Sequence, residues 1–107
     1  MSRRDAPEQV VPRFDEEIHA PLRLRICALL GAADEIDFTT LRERLEVSDS
    51  VLSKHLSRLE SGGYLTIRKA TERKHVRTWV GLTEEGRSRL RGHLAALRDL
   101  ADQSGLM

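Results

Sequence analysis

Residues 47–65 read VSDSVLSKHLSRLESGGYL. Leu52, Leu56 and Leu59 recur at spacings of four and three, the rhythm of a helix with one side in a core. Ser48 stands just before that pattern, where a hydroxyl accepts from the backbone and caps a helix. Gly62-Gly63 ends it, because glycine tolerates the left-handed backbone of a helix stop. The stretch therefore predicts a helix over 48–62. Its opposite side carries Ser50, Lys54, Ser57 and Ser61, flanked by Ser53 and Arg58. Short hydroxyls keep that side thin, and the cations attract a polyanion. A wet helix surface has a similar composition, so the neighbouring segments decide.

Upstream, Ile36-Asp37-Phe38 reads as a short edge strand. Thr39 or Thr40 then caps a brief helix with Leu41 and Leu45 inward, and Glu46-Val47 makes a tight turn. Downstream, the period drops to two. Leu65 and Ile67 alternate with Thr66 and Arg68, and Val76, Thr78, Val80 and Leu82 alternate with Arg77, Trp79 and Gly81. Residues 70–74 between them read as a polar turn. Two helices on a tight turn followed by a basic hairpin form a winged helix-turn-helix. The first helix braces across the backbone of a duplex, and the second fits the major groove. A hairpin tip holding Arg73 and Lys74 suits phosphate or the minor groove. Three uses of Trp79 stay open: covering the sheet, stacking on Arg68 or Arg77, or marking a partner surface.

The pattern from Phe14 to about Ala33 is helical, with a start or kink expected near Pro21. Ile18, Leu22, Ile26 and Leu29 share one face; Ala20, Leu24, Cys27 and Ala28 form a second, which in so small a domain suits another subunit. Thr83 caps a last helix, with Glu84 and Glu85 in its first turn. Leu90, Leu94, Leu97 and Ala101 step by four, three and four along it, a seam pattern that again suits a subunit contact. The expected order is α-(β)-α-α-β-β-α, mainly α with a small β-hairpin wing. Residues 1–13 form a loose tail, and residues 14–107 a single domain whose last helix spans about 83–102.

The net charge of +1 hides an asymmetry. Residues 1–49 carry seven arginines and no lysine against eleven acids, whereas residues 50–82 carry seven cations against two acids. Positive charge is thus concentrated on the reading helix and hairpin, which draws a polyanion even to a near-neutral chain. A single cysteine, Cys27, excludes an internal disulfide framework and reads as buried and inert. His55 reads as a packed, hydrogen-bonded side chain; His19, His75 and His93 have no ligand spacing. No membrane-length apolar run, no secretory h-region, no phosphate-cradling glycine loop and no nucleophile elbow is present. The sequence therefore points away from an enzyme, from a metal or other cofactor and from the membrane, and towards the cytoplasm.

Residues 47–65 resemble the recognition helix of the MarR and ArsR groups of bacterial winged-helix regulators. RTWVGLTEEGR (77–87) resembles the strand-to-helix passage of the MarR side, and HAPLRLRICALL (19–30) the first helix of short single-domain members. The resemblance spans about residues 18–100. It implies a homodimer bound to double-stranded operator DNA, and the sequence as a whole reads as a nucleoid-associated transcriptional regulator on a palindromic site, acting as a repressor. Two departures stand out. The chain is shorter than a typical MarR protein, and with only Cys27 it lacks the paired-cysteine site of metal-sensing ArsR proteins. A small-molecule effector stays open.

The expected DNA contacts are Thr39, Thr40, Ser48, Ser50, Ser53, Lys54, Ser57, Arg58, Arg68, Arg73, Lys74 and Arg77. The expected subunit contacts are Leu24, Cys27, Leu90, Leu94, Leu97 and Ala101. Two other readings of the same fold are a protein-interaction module and a thiol or metal sensor.

Overall fold

The computed structural model describes residues 10–106. The elements are α1 (Glu16–His19), α2 (Pro21–Gly31), β1 (Ile36–Asp37), α3 (Phe38–Leu45), α4 (Asp49–Ser61), β2 (Leu65–Glu72), β3 (His75–Leu82) and α5 (Glu84–Ser104). The strands form one antiparallel sheet in the order β1-β3-β2. This is the mainly helical, winged arrangement that the periodicity predicts.

Proline sets the break in the N-terminal helical segment, at the position where a start or kink is expected. Pro21 opens α2 at a position where its missing N–H costs nothing, so the helix expected from Phe14 becomes two, α1 and α2, broken at Ala20. Asp15 caps α1, its Oδ1 accepting from the Ile18 N–H at 3.0 Å. Most of the expected tail, residues 1–9, lies outside the described residues. Its last residues are not loose: the Arg13 N–H donates to the Gly92 carbonyl of α5 at 2.9 Å.

α2 runs through the middle of the molecule, touching α1, α3, α5 and β3. Its own chain therefore covers one apolar side and Cys27 of the other, while Leu24 stays partly exposed and Ala28 exposed. Ile26, Cys27 and Leu30 are fully buried beside Ile18, Leu41, Leu52, Leu59 and Val80. Each such side chain contributes roughly 1.5–3 kcal/mol by leaving water. Leu90 is nearly as buried, resting against Gly31. Cys27 and Leu90, expected at a subunit contact, are thus spent inside the core of a single chain. Periodicity shows which residues share a face, not which body covers it.

Asp37, not a threonine, caps α3. Its carboxylate accepts from the Thr40 N–H at 3.2 Å and from the Thr40 hydroxyl at 2.7 Å. Ser48 caps α4 as expected, accepting from the Val51 N–H at 3.2 Å, and Leu52, Leu56 and Leu59 point inward. Gly63, at a φ of 84°, completes the stop after Gly62. Thr83 caps α5, its Oγ1 accepting from the Gly86 N–H at 2.9 Å. The hairpin is tighter than expected: both strands run to a two-residue loop, Arg73-Lys74, and not to a turn over 70–74.

Candidate nucleic-acid interface

Three elements set the outer face of α4. α3 precedes it across the turn at Glu46, a residue held in the left-handed region at a φ of 57°. β2 packs along one side. α1 reaches the other side through Glu17, which meets Arg58.

Ser50, Ser53, Lys54 and Ser57 are all exposed on α4, and Ser48 is exposed at its start. Thr39 and Thr40 are exposed at the first turn of α3. The hairpin has two unlike faces. Leu65, Ile67, Lys69 and Thr71 pair across the sheet with Leu82, Val80, Thr78 and Val76 on one of them. Directly opposed residues in an antiparallel pair project to the same side. Lys69 and Thr78 together with Ser53 and Ser57 line a cleft of about 450 Å³ between wing and helix, floored by Phe38, Leu56 and Ile67. Lys69 is therefore a candidate contact missing from the sequence reading. The signal was present: Lys69 shares its strand face with Ile67, and the helix packs on that face.

The other face carries Arg68, Trp79 and Arg77. The guanidinium carbons of Arg68 and Arg77 lie 6.0 and 5.8 Å from the Trp79 ring centre, so Trp79 is flanked by both. Its indole N–H is buried without a hydrogen-bond partner. Arg68 also forks onto Glu35 at 2.7 and 3.1 Å, and Arg77 lies 3.6 Å from Glu72. Arg68 and Arg77, expected alongside the α4 contacts, project from the sheet face opposite Lys69, although Arg77 shares a cleft with Thr39 and Thr40. Arg73 and Lys74 hold the wing tip, exposed, with φ of 51° and 70°.

Arg58 is engaged as well. Its Nε and Nη2 donate to the two carboxylate oxygens of Glu17 at 2.8 and 3.0 Å. This fork holds the Glu17 carboxyl below its ordinary pKa and pushes that of Arg58 up. One turn back, His55 is half-buried, with its Nδ1 3.4 Å from Nη1 of the buried Arg23.

A buried polar cluster fixes the far end of α4. The Tyr64 hydroxyl, just past the helix stop, donates to Asp15 at 2.8 Å, and Arg89 of α5 donates to the same carboxylate at 3.2 Å. Burial raises the Asp15 pKa, but the bonds from the Ile18 N–H, Tyr64 and Arg89 outweigh it, so the carboxyl sits below its ordinary value. Burial, with Asp15 adding to it, pushes Tyr64 up to about 12. The Asp15 N–H donates to Nδ1 of His93 at 2.9 Å, and His93 Nε2 lies 3.4 Å from His19 Nδ1. The cap of α1, the loop after α4 and α5 thus meet at the Asp15 carboxylate, with the His93 imidazole joining α5 to α1 beside it.

His93 predicts a pH dependence of stability. Burial, then the neighbouring His19, lowers its pKa below 6.5, against the opposing pull of Asp15 and Glu16. The unfolded chain therefore binds the proton first. Stability should hold above about pH 7.5, fall as pH drops through the unfolded value near 6.5, and level off below the folded value. His55, lowered by burial and by Arg23, acts in the same direction, whereas Asp15 and Asp37 matter only at more acid pH. Urea unfolding between pH 8 and 5.5 should show this loss, and His93→Asn, whose Oδ1 takes the place of Nδ1 and can still accept from the Asp15 N–H, should flatten it. Parallel curves for the two proteins would remove His93 from the account.

The bracing helix, capped reading helix and paired basic hairpin define a winged helix-turn-helix shaped to dock on a duplex. The profile of the family described as winged helix DNA-binding domain matches residues 22–101, and the chain belongs to that family. It is 29% identical over 80 residues to the uncharacterised protein MJ0432 of Methanocaldococcus jannaschii, covering 75% of this chain and 87% of that protein. It is 35% identical over 68 residues to the uncharacterised HTH-type transcriptional regulator YdgJ of Bacillus subtilis, covering 64% of this chain but 41% of YdgJ. Among solved structures, a transcriptional regulator homologue from Pyrococcus horikoshii OT3 matches with a TM-score of 0.81 at 24% identity, over 86% of this chain and 91% of that one. The MarR-like resemblance read from residues 47–65 and 77–87 falls within this family of winged helix DNA-binding domains.

Proposed function

We propose that the protein is a homodimeric, sequence-specific repressor, with α4 in the major groove of a palindromic operator and the wing on flanking backbone or minor groove. The observation that carries this reading is the exposed serine and lysine face of α4 beside a basic wing. The same face speaks against a protein-interaction module, because Val51 is its one exposed large apolar side chain. A thiol sensor finds little support either: Cys27 is fully buried, and burial pushes its thiol up to about 12. The repressor would work by occupying promoter DNA in the cytoplasm and so blocking polymerase.

The dimer contact proposed here shifts with the structure. With Cys27 and Leu90 inside the core, the partly exposed residues Leu24, Leu94, Leu97 and Ala101 remain. Leu100 and Phe14 extend this apolar stripe along α5, at 53% and 51% exposure. Leu94→Glu with Leu97→Glu places two charges in such a contact and should yield monomer in sedimentation. A folded double variant that still sediments as a dimer would reject the α5 contact.

Selection from a random duplex pool tests the reading of bases. The protein should enrich an inverted repeat, and Ser53→Ala, Lys54→Ala or Ser57→Ala should weaken that site by about 1–3 kcal/mol more than random DNA. Equal losses on both duplexes would leave these side chains on phosphates alone.

A further inference from the structure

We infer that Glu17 withholds Arg58 from the DNA backbone and so suppresses binding to random sequence. The inference rests on the DNA-binding reading above and deepens it. Arg58 follows Lys54 by four residues, so the two share one stripe of α4. Lys54 is in none of the ion pairs found among the described residues, whereas Arg58 presents its fork to Glu17. A carboxylate and a phosphate accept the same edge of a guanidinium, so the two compete for it.

The competitor is built in. α1 is anchored by the Asp15 cap and by the bonds that Tyr64 and Arg89 make to that residue. The Glu17 carbonyl also accepts from Nε of the buried Arg23. Fixing α1 lowers the entropy that a mobile surface pair loses on forming, and the geometry is bidentate. A random duplex that offers only phosphates must break this fork or do without Arg58. A specific site, which offers base contacts to Ser53, Lys54 and Ser57 as well, depends on Arg58 less. Glu17 thereby widens the gap between specific and random binding, the quantity that decides occupancy in a genome.

The test measures affinity for a random duplex and for the selected duplex across a salt series. It compares the full chain with Glu17→Gln, Glu17→Ala, Arg58→Ala and the Glu17→Gln/Arg58→Ala double variant, and with Glu16→Gln as a charge-matched control. Both Glu17 variants should bind random DNA about tenfold more tightly at low salt, with the salt slope steeper by up to roughly 1.8 for two freed arginines per dimer. Binding to the selected duplex should rise less, Glu16→Gln should behave like the parent, and the gain should vanish in the double variant. Unchanged or weaker random binding by Glu17→Gln and Glu17→Ala would overturn the inference, as would a gain that persists without Arg58. If the parent chain binds no duplex at all, the DNA-binding reading fails and this inference with it. If the parent binds and the Glu17 variants do not differ from it, only this inference fails. Thermal melting of each variant separates these outcomes from misfolding.

Discussion

Arg73→Asn combined with Lys74→Gly should make the protein more stable and a weaker DNA binder at once. Arg73 and Lys74 both have positive φ in a two-residue hairpin loop, the mark of a type I′ turn. Asn-Gly is the favoured pair there, and a left-handed conformation costs other residues about 1–2 kcal/mol each. Relief of part of that strain should raise stability by roughly 1 kcal/mol. Strain held at an exposed tip by two cations is consistent with a binding role for those cations. In a dimer the substitution deletes four charges, so the slope of log K against log salt should become shallower by up to roughly 3.6, with similar losses on all sequences. A more stable variant with an unchanged slope would take the wing off the DNA.

Gly86→Ala should cost a large part of the stability of the fold. Alanine in place of glycine inside a helix ordinarily stabilises by up to about 1 kcal/mol. At Gly86 the sign reverses, because a Cβ would lie 2.0 Å from the carbonyl oxygen of Tyr64 and 2.9 Å from its carbon. Both are backbone atoms, and the Thr83 N–H already binds that same carbonyl at 3.0 Å. Relief of the clash would lift the start of α5 off Tyr64 and pull Arg89 and His93 away from Asp15. The loss should reach at least about 3 kcal/mol, the upper range for overpacking, in a domain whose total stability is on the order of 5–15 kcal/mol. Chemical denaturation measures it directly, and equal or greater stability would contradict the close approach of α5 to Tyr64.

These two sites differ in how far the sequence exposes them. Leu52, Leu56 and Leu59 mark α4 by spacing alone, and Ser48, Thr83 and Gly62-Gly63 mark helix ends through local hydrogen bonds and backbone freedom. Such signals act over a few residues, so the sequence displays them. The cluster at Asp15 does not display itself, because its partners Tyr64, Arg89 and His93 lie 49, 74 and 78 residues away. Arg58 and Arg68 read as free cations for the same reason. Their acids, Glu17 and Glu35, are 41 and 33 residues distant and arrive only with the fold. Alternation predicts both strands of the wing but not which face meets α4, and that choice separates Lys69 from Arg68. Arg and Lys are unusual in left-handed positions, so the sequence carries no turn signature at 73–74 and predicts a wider turn than the structure has.

The most direct measurement is an amide-resolved NMR titration of the labelled protein with the duplex recovered by selection. The account predicts that the largest shifts fall on Ser50, Ser53, Lys54 and Ser57 of α4 and on Arg73 and Lys74 at the wing tip, with Lys69 between them. The face around Arg68, Trp79 and Arg77 should stay still. Shifts centred on Trp79 and its arginines, with α4 unmoved, would contradict the claim that α4 is the surface that reads DNA.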